Sequence, residues 1–194
     1  ALSTKNDTPA EACSPFDKNR DGFVMAEGST VLILESEESA KSRDAKIYGY
    51  IVGYGSTTDA HHITAPAEGG EGAVRAMDKA LKDANLSVDD VDYINAHGTS
   101  TILGDQIELN AIKRLFKNNI NLPVSSTKSS IGHLLGAAGS VEAIFSILTI
   151  KNQTIPATLN LENPIESGNI NLIAKEPLKK NINVALSNSF GFGG

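Results

Sequence analysis

Val91-Asp92-Tyr93-Ile94-Asn95-Ala96-His97-Gly98-Thr99-Ser100-Thr101 decides how this chain is read. Val91, Tyr93 and Ile94 mark residues 91–96 as a strand, and the abrupt change to glycine and hydroxyl residues predicts a loop that opens at His97. A second histidine sits in a similar setting, Lys128-Ser129-Ser130-Ile131-Gly132-His133-Leu134-Leu135-Gly136-Ala137-Ala138-Gly139, after a short strand predicted over Val124–Thr127. Small neighbours let backbone and substrate approach closely. If the two loops converge, two neutral imidazoles can aim N–H donors at one carbonyl or carboxylate, which is equipment for stabilising an enolate or oxyanion.

Working outward, Gly72–Ala84 is predicted to be an amphipathic helix. Val74, Met77, Leu81 and Ala84 form one stripe, Arg75, Asp78, Lys79 and Lys82 lie outside it, and Asn85 marks its end. Asp105 is expected to cap a helix running through Phe116, with Ile107, Ala111 and Leu115 inward. Ser140–Lys151 is a nearly all-apolar helix, expected to be buried between layers. Further strands are expected at Thr30–Glu35 (buried, from Val31 to Leu34), Ile47–Tyr54, Ile170–Ile173 and Asn183–Leu186. A short polar helix is expected at Glu37–Arg43, and an irregular segment over 1–22. The alternation of strand and helix from 72 to 151 predicts a layered α/β fold.

The 194 residues suffice for one sizeable core. A net charge of −6, with no stripe of Lys and Arg, argues against nucleic-acid binding. No apolar stretch reaches the length of a membrane helix; Val141–Ile150 is too short and carries Glu142. The opening Ala-Leu-Ser-Thr-Lys has no apolar signal segment. The single cysteine, Cys13, excludes an internal disulfide and fits a reducing cytoplasm.

Each candidate has a plainer reading beside the chemical one. His97 can be a loop histidine bonded to backbone, and Thr99, Ser100 and Thr101 can form a turn that caps the next helix. The glycines around His133 can serve tight helix packing, although an imidazole among them needs a partner. Lys128 can be a solvated loop lysine; near the imidazoles it would keep them neutral and hold an anion, with Glu142 as its counter-charge. Adjacent His61 and His62 diverge and are expected in a loop near a substrate mouth. Cys13, in a polar segment, is a poor candidate nucleophile. Phe190-Gly191-Phe192-Gly193-Gly194 reads as a hairpin turn or as an aromatic gate on flexible glycines.

Taken together, Phe16-Asp17-Lys18, Arg20-Asp21-Gly22-Phe23, Asn95 to Thr101, Ser126-Thr127-Lys128-Ser129, Gly132-His133, Gly136 to Gly139 and Asn188 to Gly194 resemble the β-ketoacyl-acyl carrier protein synthases of fatty-acid synthesis. Tyr54-Gly55, His62-Ile63-Thr64 and Pro66 lean toward the synthase II subtype.

The resemblance implies a thiolase-like fold, two similar halves in αβαβα layers. Residues 1–58 would end the first half and residues 59–194 would form most of the second. It implies a Cys-His-His site whose cysteine lies upstream of Ala1, so the piece alone is expected to be inactive. His97, His133 and Lys128 would be catalytic, with Glu142 supporting the lysine. Thr99 and Thr101 would touch the phosphopantetheine arm, and Phe192 would gate the site. No cofactor would be required, although some relatives hold a structural monovalent or divalent cation, here matched by Asn95, Glu108, Glu142, Ser187 and Asn188. The partners would be acyl carrier protein bearing acyl or malonyl groups and, in the complete enzyme, a second subunit in a cytoplasmic homodimer. A chain-length-factor-like partner subunit and a polyketide-type ketosynthase are the alternatives.

Overall fold

The computed structural model describes residues 2–191, and the structural statements that follow concern those residues. In chain order the helices are α1 (Pro9–Ala12), α2 (Glu37–Ser42), α3 (Glu71–Asp83), α4 (Ile102–Leu115), α5 (Lys128–Ile131) and α6 (Ala138–Asn152). The strands are β1 (Tyr93–Asn95), β2 (Leu122–Ser125), β3 (Thr154–Ile155), β4 (Ile170–Leu172), β5 (Leu178–Lys179) and β6 (Ala185–Ser187).

Four strands form one parallel sheet in the order β4-β2-β1-β6, with Ile94 opposite Val124 and Leu186. Successive strand residues face opposite sides, and β1 shows both. Ile94 packs with Met77 and Leu81 of α3 and Leu109 and Ile112 of α4, whereas Tyr93 packs with Ile155, Ile173 and Ile182. α6 lies against β6. A sheet covered on both faces is the setting that parallel strands require, and the layered α/β expectation is met. α3 ends as expected: Asn85 takes a left-handed φ of 54°, and Leu86 N–H donates to the Leu81 carbonyl at 2.9 Å.

Several expectations are corrected. Thr30–Glu35 and Ile47–Tyr54 are not strands, and Val31 and Ile33 are 82% and 81% exposed. A strand is completed by a neighbour's backbone groups, and none among the described residues lies alongside either run. Instead Gly53 and Gly55 press the second run against α3, where a Cβ would fall 2.2 Å from the Ala80 carbonyl and 2.0 Å from that of Ala76. Asp105 does not cap α4. The helix starts three residues earlier, behind Thr101, and Asp105 is buried within its first turn. α6 is not enclosed on all sides: it turns Glu142, Ser146 and Thr149 inward and leaves Leu148 39% exposed. No helix among the described residues is long and apolar enough to cross a membrane.

Candidate active site

The parallel sheet places the site at the carboxyl ends of β1 and β2, where open α/β sheets gather their functional loops. β1 delivers His97, and β2 leads through Thr127 into α5, which begins at Lys128. α5 ends at Gly132, whose φ of 70° turns the chain into His133. A side chain at Gly132 would put its Cβ 2.8 Å from Ala26 Cβ, so the turn requires glycine.

The two imidazoles meet. Their ring centroids are 5.3 Å apart and their planes stand at 87°. Each uses its Nδ1 as an acceptor. His97 Nδ1 faces Lys128 Nζ at 3.2 Å, and His133 Nδ1 accepts from the Leu135 N–H at 3.1 Å. With Nδ1 occupied as an acceptor, the proton of each neutral ring sits on Nε2. Burial, then the Lys128 charge, hold both rings below the ordinary histidine value, His97 well below it. Lys128 is fully buried and ion-paired with Glu142. Burial pushes the Glu142 carboxyl up to about 7, against the pull of Lys128.

Both rings line a cavity of about 350 Å³ together with Thr99 and Thr101. The two threonine hydroxyls are 3.0 Å apart. Phe190 stands edge-on to His97 with centroids 5.9 Å apart. Phe192, the expected gate, lies outside the described residues. His61 and His62 do not line the cavity, although the loop they open does, through Thr64, Ala65 and Pro66. His62 Nδ1 accepts the Thr64 and Ala65 N–H groups, both at 3.1 Å, and so shapes that loop. Cys13 is buried, donates through Sγ to the Lys128 carbonyl at 3.0 Å, and is pushed up to about 11, chiefly by burial. A thiol so held is not a nucleophile near neutral pH.

Three residues named in the sequence for other reasons, Glu108 as a cation ligand, Asp105 as a helix cap and Arg20 within a motif, brace the loop that carries His97. Glu108 accepts the backbone N–H groups of His97 and Gly98, both at 2.8 Å, and Asn188 Nδ2 at 3.1 Å. Asp105 accepts Phe16 N–H at 2.8 Å and Ser100 N–H at 3.1 Å, where Ser100 has a left-handed φ of 71°. Arg20 holds the next turn, with Nε donating to the Thr101 carbonyl at 3.0 Å. The available signal was a pair of carboxylates, Asp105 and Glu108, three residues apart on the apolar side of a helix, where an acid persists only with partners.

Of the residues expected to hold a cation, Asn95, Glu108, Glu142 and Asn188 are buried. The buried Asn95 Oδ1 has no hydrogen-bond partner, and the carboxyl of Glu108 is buried against the Asn188 amide. Glu142 faces this region through its backbone carbonyl, which accepts Asn95 Nδ2 at 3.4 Å, while its carboxylate serves Lys128. Ser187 is exposed at the end of β6. Amide, carbonyl and carboxylate oxygens are the donors a hard cation takes, although no cluster of three or more His, Cys, Asp or Glu suited to a metal occurs among the described residues.

Comparison with known proteins shows the family and the fold. A family model described as the β-ketoacyl synthase C-terminal domain matches residues 48–162, and one for the N-terminal domain matches residues 1–40. The chain is 57% identical over its whole length to a 3-oxoacyl-[acyl-carrier-protein] synthase 2 of Rhizobium meliloti, covering 46% of that protein. It is 53% identical over its whole length to the synthase 2 of Synechocystis, covering 47% of it. The chain thus spans about half the length of the curated relatives it matches. Among solved structures, a β-ketoacyl synthase from Burkholderia phymatum superposes with a TM-score of 0.95 at 42% identity, over 100% of this chain and 47% of that one. A type II polyketide ketosynthase solved with its acyl-carrier protein superposes with a TM-score of 0.91 at 41% identity, over 95% of this chain and 46% of that one. The fold is the thiolase-like α/β fold of these neighbours.

Proposed function

Because this chain belongs to the β-ketoacyl synthase family, we propose that it supplies the decarboxylating half of a condensing site, extending an acyl thioester with malonyl-acyl carrier protein in fatty-acid elongation. The observation that carries this reading is the imidazole pair, 5.3 Å apart at a shared cavity, with each Nδ1 occupied so that each Nε2 is left to donate.

The malonyl thioester would enter the cavity with its carbonyl oxygen between His97 and His133, its pantetheine arm along the Thr99 and Thr101 hydroxyls. The carboxyl–Cα bond breaks, CO₂ departs, and its electron pair stays on Cα as an enolate. Two neutral N–H donors suit the charge that grows on oxygen; removing one such donor typically costs about 100- to 1,000-fold in rate. The enolate carbon then attacks the acyl carbonyl, and the acyl carbon–sulfur bond breaks with its pair leaving on the thiolate. Lys128 and Glu142 orient His97 rather than attack.

The thiolate is assigned to a cysteine outside this chain, since Cys13 is buried and held protonated. The chain by itself is therefore expected neither to take up an acyl group nor to condense. Acyl carrier protein is the partner of this reading, supported by the carrier complex of the polyketide neighbour, and a second subunit completes a homodimer. A cation at Asn95, Glu108, Asn188 and the Glu142 carbonyl would neutralise the buried Glu108 carboxylate and stiffen the loop bearing His97.

The test is His133→Ala in the full-length protein. Malonyl decarboxylation is expected to fall at least about 100-fold, with acyl transfer to the thiol retained. Equal loss of both steps would contradict the assignment.

A further inference from the structure

Phe23 stands edge-on to His133, with centroids 5.5 Å apart and planes at 68°. The rings Phe23, His133, His97 and Phe190 form an unbroken edge-to-face series, and all four line the cavity. We propose that Phe23 is a positioning residue for the condensation, its ring fixing the tilt of the His133 imidazole so that Nε2 points at the oxygen held by His97. This rests on the condensing function proposed above.

Three observations support it beyond the ring contact. The strand-like strap that carries Phe23 also grips the His133 backbone: His133 N–H donates to the Val24 carbonyl at 2.8 Å, and Ala26 N–H donates to the His133 carbonyl at 3.0 Å. The strap is anchored behind, where Ser3 N–H donates to the Phe23 carbonyl at 2.9 Å, and Asp21 accepts the Ser3 hydroxyl at 2.6 Å and the Thr4 N–H at 2.8 Å. Among the described residues the His133 side chain makes one hydrogen bond, from the Leu135 N–H to Nδ1. His97, by contrast, is held by Lys128 and has both flanking amides fixed by Glu108. An aromatic edge at 5.5 Å is in the range where ring pairs prefer perpendicular geometry. It packs the His133 ring in addition to the His97 ring edge and the Leu135 N–H.

The experiment compares Phe23→Leu and Phe23→Tyr with wild type in the full-length protein, reading malonyl-acyl carrier protein decarboxylation and the ¹⁵N signals of the His133 ring. Leucine keeps the apolar bulk and loses the aromatic edge; tyrosine keeps the edge. Phe23→Leu is expected to lower kcat about tenfold with KM within twofold, and to broaden or split the His133 ring signals. Phe23→Tyr is expected to stay within threefold of wild type with a single ring signal. A Leu variant with wild-type kcat, or a Tyr variant as poor as the Leu variant, would overturn the proposal while leaving the condensing function intact. Absence of decarboxylation in the wild type would overturn that function and the proposal with it.

Discussion

Nζ of Lys128 stands 3.2 Å from Nδ1 of His97, and the lysine side chain has no exposed surface. An ammonium group has only protons to give, so the contact obliges His97 to accept on Nδ1 and to carry its own proton on Nε2. The same ammonium satisfies Glu142, which is also buried. One charge thus fixes a tautomer and neutralises an acid.

Lys128→Met is expected to destabilise the protein by about 3–5 kcal/mol, because it strands a buried carboxylate. The pair Lys128→Met/Glu142→Gln removes both charges and is expected to regain most of that loss. Denaturant unfolding of the two variants measures it; a double variant as unstable as the single one would show that the lysine acts through packing alone.

Glu108→Gln replaces an acceptor of three N–H groups with one carbonyl and one NH₂ group. The NH₂ must face a backbone donor at His97 or Gly98, 2.8 Å away in the native arrangement. Leaving such buried donors unpaired costs about 1–3 kcal/mol. The variant is expected to lose that much stability and to decarboxylate more slowly, measured by unfolding and by CO₂ release.

The pH dependence has a defined sign. Burial and the Lys128 charge hold His97 and His133 below the ordinary 6.5, so the acid-side loss of malonyl decarboxylation is expected to have its midpoint below pH 6.5. A rate that halves near 6.5 would show that the rings titrate freely. Asp105 works in the opposite direction: burial pushes it up to about 7 from 3.8. Its contribution to stability is full below the unfolded value and is lost as pH rises through 7. The stability deficit of Asp105→Asn relative to wild type is therefore expected to shrink between pH 5 and 8 in unfolding titrations.

The second half of the fold was legible because its signals are local. The apolar stripe of α3, the stop at Asn85 and the strand before His97 each state their own structure. The two histidines, Lys128 and Glu142 were legible as residues, and their convergence was a consequence of the strand–loop pattern. Thr30–Glu35 and Ile47–Tyr54 misled because an apolar β-branched run shows an affinity for a sheet, not the presence of a neighbour. Asp105 misled because a carboxylate near a helix start reads as a cap, whereas this one reaches back to Ser100 and Phe16. Phe23 was invisible as part of the site, since its contact with His133 spans more than a hundred residues of sequence.

The proposed decarboxylation requires His97 and His133 to serve one oxygen. The most direct measurement is a crystal structure of the full-length protein holding a malonyl thioester analogue that cannot lose CO₂. Both Nε2 atoms are expected within about 3.2 Å of the thioester carbonyl oxygen. A carbonyl oxygen bonded by only one imidazole, or by neither, would contradict it.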